Sequence, residues 1–112
     1  MIRVFVRSAI RNAVVTGSSS SLRLDPVLLR AAELQPFEEV EVVHAETRFR
    51  TYVETGNAGE VSIRGIRAGD AIEIVAFGLL HDGQTLTHWV RLVTVDQANR
   101  VVSIAEATTD IR

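Results

Sequence analysis

Short segments in which apolar and polar residues alternate recur through most of this 112-residue chain. A period of two is typical of β-strands, because successive side chains of a strand point to opposite faces. Glycine, asparagine and aspartate separate the segments, and these residues favour tight turns. The segments are residues 39–44, 48–54, 60–64, 71–77, 87–95 and 101–104. This pattern predicts a mainly β domain that closes into a small barrel, with the apolar strand 71–77 crossing its core.

The N-terminal third adds two strands and a helix to this pattern. Residues 2–15 are rich in β-branched side chains and predict one long or bent strand, which ends at the glycine- and serine-rich residues 16–21. A short apolar strand at 22–24 leads to Asp25, a good helix N-cap, and to Pro26, which suits a first helical turn. We therefore expect a short amphipathic helix that runs through Leu34 and stops before Pro36.

Composition excludes several classes of function. The chain has no cysteine, which rules out disulfides, thiolate nucleophiles and cysteine metal sites. Its net charge of -2, with acids and bases dispersed, gives no basic face for nucleic acid. No run of about 18 apolar residues could span a membrane, and residues 1–6 lack the apolar run of a signal peptide. We therefore expect one cytoplasmic domain over residues 1–112.

The histidines and the basic residues limit the chemistry further. His44, His81 and His88 have no spacing typical of metal ligands, so we predict no metal site. All twelve basic residues are arginines. Without lysine the chain cannot hold pyridoxal phosphate as an internal aldimine. Any imine chemistry on this chain therefore needs a carbonyl group that is not bound through lysine.

Two features of the N-terminal third carry candidate chemistry. Ser21 ends the serine run directly before the strand at 22–24, and it is either an ordinary turn hydroxyl or a reactive one. Arg3, Arg7 and Arg11 recur every four residues on the first strand. They could line one side of a pocket for a carboxylate, although arginines in such positions commonly form a solvated face.

Six motifs that occur in order along nearly the whole chain point to a family. They are Met1-Ile2-Arg3, the serine run before Leu24-Asp25, Ala31-Ala32, Arg48-Phe49-Xaa-Thr51-Tyr52, Gly69-Asp70, and Val93-Xaa-Val95-Asp96-Xaa-Xaa-Asn99-Arg100. In this order and spacing they resemble the pyruvoyl-dependent aspartate 1-decarboxylases. The resemblance implies a double-psi β-barrel with one or two short helices, assembled as a homotetramer with active sites between subunits.

The resemblance also implies a cofactor that the chain makes from itself. In that family the precursor cleaves itself before a serine, which becomes an N-terminal pyruvoyl group and serves as the electron sink for decarboxylation. Carried over to this chain, cleavage falls between Ser20 and Ser21. Ser21 is then both a catalytic residue and the source of the cofactor. This chemistry needs no lysine, no pyridoxal phosphate and no metal.

The same resemblance assigns roles to five further residues. Arg48 would bind the substrate carboxylate through two parallel hydrogen bonds, Thr51 would assist processing, and Tyr52 would protonate the decarboxylated carbanion. Without the resemblance, we would interpret Arg48 and Tyr52 as surface residues that pair with residues on neighbouring strands. Arg11 stands where the family has a histidine, and Arg64 where it has an asparagine. We expect both to contact the substrate carboxylate.

Other positions depart from the family pattern where the chemistry would take place. Ala9 stands where the family has a substrate-binding lysine, and Ser20 replaces the glycine before the scissile bond. Most of an alanine-rich loop is missing before Gly69. We therefore expect a divergent amino-acid decarboxylase for aspartate or a related acid. One alternative is an uncleaved paralogue that uses the pocket between subunits for another reaction on a carboxylate-bearing metabolite. A second is a non-catalytic binding subunit.

Overall fold

The fold is mainly β, as the alternating pattern predicts. A computed structural model describes the backbone of residues 2–81 and 86–111 and the side chains of residues 4–79 and 90–107. In these ranges the elements are β1 (Ile2–Val14), β2 (Leu22–Leu24), α1 (Pro26–Ala31), β3 (Glu39–His44), β4 (Thr47–Thr55), β5 (Val61–Ser62), β6 (Ala71–His81), β7 (Leu86–Val95) and β8 (Val101–Ile111). Within these described ranges, no helix has the length and apolar character that crossing a membrane requires.

The strands form one curled sheet in the order β5-β2-β4-β3-β6-β1-β7-β8. Two pairs, β2 with β4 and β1 with β7, are parallel, and the other pairs are antiparallel. Beyond β1 the chain bonds to β5 at the far edge of the sheet: Thr16 N donates to Val61 O at 2.7 Å, and Ile63 N donates to Gly17 O at 3.2 Å. The sheet therefore curls back on itself, which confirms the predicted small β-barrel architecture.

The core fills the inside of this curled sheet with one face of most strands. The core contains Val40 and Val42 of β3 and Ile72, Ile74 and Ala76 of β6, so the expected apolar strand does cross the core. Helix α1 adds Leu28 and Leu29, while β2 adds Leu22 and Leu24. Because side chains alternate along a strand, the opposite face of strands such as β3 and β4 is left for solvent, a ligand or another subunit.

Helix α1 starts where the sequence predicts and ends three residues before the predicted Leu34. Glu33 adopts a left-handed φ of 57°, and Leu34 N donates to Leu29 O at 2.8 Å. These features form a Schellman C-cap, with both leucines buried. Two distant arginines bond to carbonyls there, Arg91 to Ala31 O at 2.5 Å and Arg7 to Glu33 O at 2.8 Å. The end of the helix is therefore stabilised partly by arginines of β1 and β7, which the sequence of the helix itself does not indicate.

Three strands differ in length from the prediction. Strand β6 extends to His81, which the sequence suggested as part of a turn with Asp82 and Gly83; the latter two lie outside the described residues. It is long because it pairs with β1 over nearly the whole length of β1, from Val14↔Ala71 to Ile2↔His81. Strand β8 continues to Ile111 as the partner of β7. Strand β5 keeps only two of the five predicted residues, because the chain turns away directly after Ile63.

We expect Asp25→Ala to lower the free energy of unfolding by about 1–2 kcal/mol, the usual cost of losing a helix N-cap. One carboxylate oxygen of Asp25 accepts from Val27 N and the other from Gly59 N, each at 2.7 Å. Urea denaturation measures the change. Asp25→Asn keeps one acceptor and serves as the control with a smaller loss. An unchanged midpoint in the alanine variant would contradict this role.

Candidate functional site

Ser21 is fully buried at the end of the serine loop, directly before β2. The parallel register pairs Leu22 with Val53, so Ser21 lies beside β4. Its Oγ donates a hydrogen bond to Glu54 Oε2. The structure thus joins a buried hydroxyl, which sequence analysis singled out, to a carboxylate that sequence analysis missed.

Tyr52 lies on the same face of β4 as Glu54, because the two residues are two positions apart. Extending the β2–β4 register by one residue sets Ser21 beside Tyr52. The Tyr52 side chain is 44% exposed, and its ring centroid lies 6.1 Å from that of Phe37. Phe37 has a left-handed φ of 68°, which is uncommon for a bulky residue and typical of constrained functional segments. Ser21, Glu54 and Tyr52 therefore form one contiguous group.

A surface depression of about 520 Å³ lies at the Tyr52 end of this group. Its lining consists of Phe37, Glu39, Arg50, Thr51 and Tyr52. This volume falls within the range of small-molecule sites, which is about 300–1,000 Å³. The aromatic rings supply an apolar wall and Thr51 a hydroxyl. Two of the predicted catalytic residues, Thr51 and Tyr52, thus line one concave surface.

Two of the predicted carboxylate-binding arginines lie away from Ser21 within one chain. Arg48 is paired with Glu41 at 3.3 Å and its side chain is 69% exposed, which agrees with the alternative of a surface partner on a neighbouring strand. From residue 48 to residue 54, a strand rises roughly 20 Å. Arg11 is paired with Glu73 of β6 at 3.5 Å. Within one chain, the described partners of these two guanidinium groups are Glu41 and Glu73, not Ser21.

Arg64 lies beyond the end of β5. Arg23 of β2 is opposite Ser62 of β5 in an antiparallel register, but β5 ends at Ser62 and the chain turns away after Ile63. Arg64 is exposed, in a turn with Gly65, whose φ is 88°. Among the described residues, the side-chain partner of Ser21 is therefore Glu54 and none of the three arginines expected to bind the substrate carboxylate.

The pairing of β1 is irregular around its arginines. The register between β1 and β6 shifts between Val6 and Ser8 and again between Ile10 and Ala13, so spacing by four no longer keeps a constant face. Arg7 bonds to Glu38 and to the end of α1. The side chain of Arg3 lies outside the described residues. The β-bulges interrupt the spacing on which a shared face would depend, and a role of these arginines in binding a carboxylate stays a prediction.

An ionised carboxylate supports the strands around the serine loop. Glu60 accepts hydrogen bonds from Asn57 N at 2.7 Å, Ser62 Oγ at 2.7 Å and Arg23 Nε at 3.2 Å. The backbone N–H of Asn57 is the largest cause of a lowered Glu60 pKa, with smaller contributions from Ser62 and Arg23. Glu60 is therefore ionised at neutral pH and holds β5 against β2.

Glu54 could have been suspected from its period-two spacing to Tyr52, but only the pairing of β2 with β4 shows what it contacts. The sequence carries no signal for that parallel pairing. Within the part of the chain that the structure describes, no group of three or more histidines and carboxylates is arranged to hold a metal. The chemistry available at this site is that of a hydroxyl, a carboxylate, a phenol and guanidinium groups.

Comparison with known proteins agrees with this arrangement. The family model for aspartate decarboxylase matches residues 1–102. An aspartate 1-decarboxylase from Dehalococcoides mccartyi is 35% identical over 112 aligned residues, covering 88% of this chain and 90% of that protein. The enzyme of the same name from Desulfitobacterium hafniense is 32% identical, with 94% and 93% covered, and that from Bacillus pumilus is 30% identical, with 90% of each covered. The family suggested by the sequence motifs is confirmed: this chain belongs to the aspartate decarboxylase family.

Proposed function

We propose that this protein decarboxylates an amino acid, aspartate or a related acid, by means of a pyruvoyl group made from Ser21. The observation that carries the proposal is the position of Ser21. It is fully buried at the start of β2, beside Tyr52, where the family motifs expect the reactive serine. The relatives named aspartate 1-decarboxylase support the reaction type.

The residues present fit a group made in this way. Ser21 Oγ attacks the carbonyl carbon of Ser20, the peptide bond to Ser21 N breaks, and an ester remains. Elimination then releases residues 1–20 with a free carboxylate, and water converts the remaining dehydroalanine to pyruvoyl with loss of ammonia. Strand β1 lies in the released piece, but its pairing with β6 and β7 would hold it in the barrel.

The pyruvoyl group would supply the carbonyl electron sink for loss of carbon dioxide. Tyr52 donates the proton of its phenol to the carbon that has lost the carboxylate. Thr51, which lines the depression, assists processing. Arg64, together with Arg48 and Arg11, binds a substrate carboxylate. Each role suits the side chain. Arg48, Thr51 and Tyr52 match the family pattern, whereas Arg11 and Arg64 replace other residues at functional positions of that pattern.

We further propose that the active site is completed between subunits of a homotetramer. The roughly 20 Å along β4 between Arg48 and Glu54 supports this, because Arg48 cannot serve the Ser21 of its own chain over that distance. Large apolar side chains are exposed on the outer strand faces. They are Val4, Val6, Leu79, Val102 and Ile104. Light scattering of the purified protein measures the assembly, and a monomer at working concentration would contradict it. A cytoplasmic location remains a prediction of the sequence.

The test of self-processing is the intact mass of freshly purified protein under denaturing conditions, beside a Ser21→Ala variant. We expect two fragments in the unsubstituted protein, residues 1–20 and a piece covering 21–112 that is one ammonia lighter than a serine N-terminus would make it. Both are absent in the variant. Incubation with aspartate should then release carbon dioxide only from the cleaved protein. A single unbroken chain after prolonged warming would contradict the proposal and leave the two uncleaved alternatives.

A further inference from the structure

We infer that Glu54 is the proton acceptor that activates Ser21 for cleavage of the Ser20–Ser21 bond. This inference rests on the proposed self-processing and adds to it a residue that the family motifs do not include, since Arg48-Phe49-Xaa-Thr51-Tyr52 ends two positions earlier. The observation behind it is the hydrogen bond that Ser21 Oγ donates to Glu54 Oε2.

A serine hydroxyl needs such a partner. At its ordinary pKa it is a weak nucleophile, and enzymes activate it through an adjacent general base within hydrogen-bond reach. Ser21 is fully buried, so bulk water does not surround its hydroxyl to take the proton. The Glu54 carboxylate is already in contact with the atom that must lose its hydrogen.

The surroundings of Glu54 favour a chemical role over an ion pair. Arg23, its neighbour across the parallel β2–β4 pair, is bonded to Glu60 at 3.2 Å. Among the described residues, Glu54 takes part in no ion pair, and the Ser21 hydroxyl is its side-chain partner. A partly buried carboxylate without a cation costs free energy unless hydrogen bonds offset it. The hydroxyl of Ser21 offsets part of this cost, and the same hydrogen bond puts the carboxylate where it can accept the proton of that hydroxyl.

The backbone holds Glu54 in place on both sides. Val53 N donates to Glu38 O at 3.0 Å, and Gly56 N donates to Leu24 O at 2.7 Å. The carboxylate therefore projects from a strand that is paired on both edges, with β2 and with β3. A rigid element of this kind keeps a base within reach of its nucleophile, which is the geometric condition for efficient proton transfer.

The proton balance closes without any other reactant. The hydrogen of Ser21 Oγ passes to Glu54 Oε2 as Oγ bonds to the carbonyl carbon of Ser20. When the tetrahedral species collapses, the bond from that carbon to Ser21 N breaks. Glu54 then returns the proton to the departing nitrogen, which becomes an amine. Glu54 is regenerated as a carboxylate, and the ester is ready for elimination.

The test follows cleavage of precursor made by cell-free synthesis, so that processing is timed from the start. Intact mass and gel analysis give the rate for the unsubstituted protein and for Glu54→Gln, Glu54→Asp and Glu54→Ala. We expect Glu54→Gln to cleave at least about 100-fold more slowly, the lower end of what general-base removal costs. Glu54→Asp, which keeps a carboxylate on a shorter arm, should cleave at an intermediate rate.

A matched control and a rescue separate a chemical role from a structural one. Glu46→Gln makes the same charge change in the exposed turn between β3 and β4, and it should cleave at the unsubstituted rate. Circular dichroism and thermal unfolding establish that each variant is folded; if glutamine prevents folding, the aspartate variant carries the comparison. Added formate, a small carboxylate, should speed cleavage of Glu54→Ala.

The outcomes distinguish this inference from the function it rests on. If folded Glu54→Gln cleaves as fast as the unsubstituted precursor, or if slow Glu54→Ala does not respond to formate, Glu54 is not the base and self-processing stands without it. If the unsubstituted precursor never cleaves, both proposals fall.

Discussion

Tyr52→Phe is expected to lower kcat for decarboxylation by about 10²–10⁴-fold, the range typical for loss of a general acid. The substitution removes only the phenolic hydroxyl. The ring stays, and with it the packing against Phe37 at a centroid distance of 6.1 Å. Because the ring still lines the depression of about 520 Å³, substrate affinity should change little. We therefore expect the loss in kcat with KM within a few-fold of the unsubstituted value.

Carbon dioxide release from fully processed protein measures this effect, and intact mass shows that Ser21 has been converted in both proteins. Correcting for the processed fraction separates a defect in decarboxylation from a defect in cofactor formation. Thr51→Val is the informative companion, because Thr51 is expected to act in processing. It should lower the cleaved fraction more than the turnover of each cleaved chain. A Tyr52→Phe enzyme with nearly unchanged kcat would remove the phenol from the mechanism.

Asn99→Ala is expected to lower the free energy of unfolding by about 3–5 kcal/mol. The substitution removes the hydrogen-bond partner of three backbone groups, Val14 N, Val14 O and Gly59 O. A buried group left without its partner costs about 1–3 kcal/mol. Asn99 is 3% exposed, and its Oδ1 accepts from Val14 N at 2.7 Å. Its Nδ2 donates to Val14 O at 2.8 Å and to Gly59 O at 3.2 Å. Its φ of 61° adds a backbone strain that asparagine tolerates better than alanine.

Urea denaturation of the Ser21→Ala background gives the free energy without interference from cleavage. Asn99→Gly loses the same hydrogen bonds but fits the left-handed φ, so the difference between the two variants measures the backbone contribution. Asn99 ties the end of β1 to the turn between β7 and β8, and the proposed cleavage would leave β1 on the fragment of residues 1–20. Asn99→Ala should then release that fragment at lower urea concentration than the unsubstituted protein. A loss below 1 kcal/mol would show that the contacts are replaced by water.

The structure gives a physical explanation for two of the family motifs. The Asn99-Arg100 pair ends the β7–β8 turn: Asn99 holds the end of β1, while Arg100 N donates to Asp96 Oδ1 at 3.0 Å. That backbone bond is the largest cause of a lowered Asp96 pKa, so the turn keeps its ionised acceptor at neutral pH. Gly69 has a φ of 99° and donates its N–H to Val15 O at 2.8 Å. Both motifs therefore tie turns to the end of β1.

Local sequence determined the elements whose signals lie within a few residues. The period-two pattern was sufficient for β3, β4 and the β7–β8 hairpin, because alternation specifies a half-buried strand wherever it pairs. Asp25 and Pro26 determined where α1 begins, since an N-cap acts on its own first turn. The six family motifs, in their order and spacing along the chain, were likewise sufficient to identify the family.

Only the tertiary structure decided which of these elements meet. Pairing of β2 with β4 brings Ser21 to Glu54 across 33 residues, and the bulges of β1 separate Arg7 from Arg11. The length of β6 follows from its partner β1, and the end of α1 follows from a C-cap reinforced by distant arginines. The physical reason is that burial of the whole core and closure of the sheet select the register between distant strands. No single stretch of sequence contains enough information to specify that register.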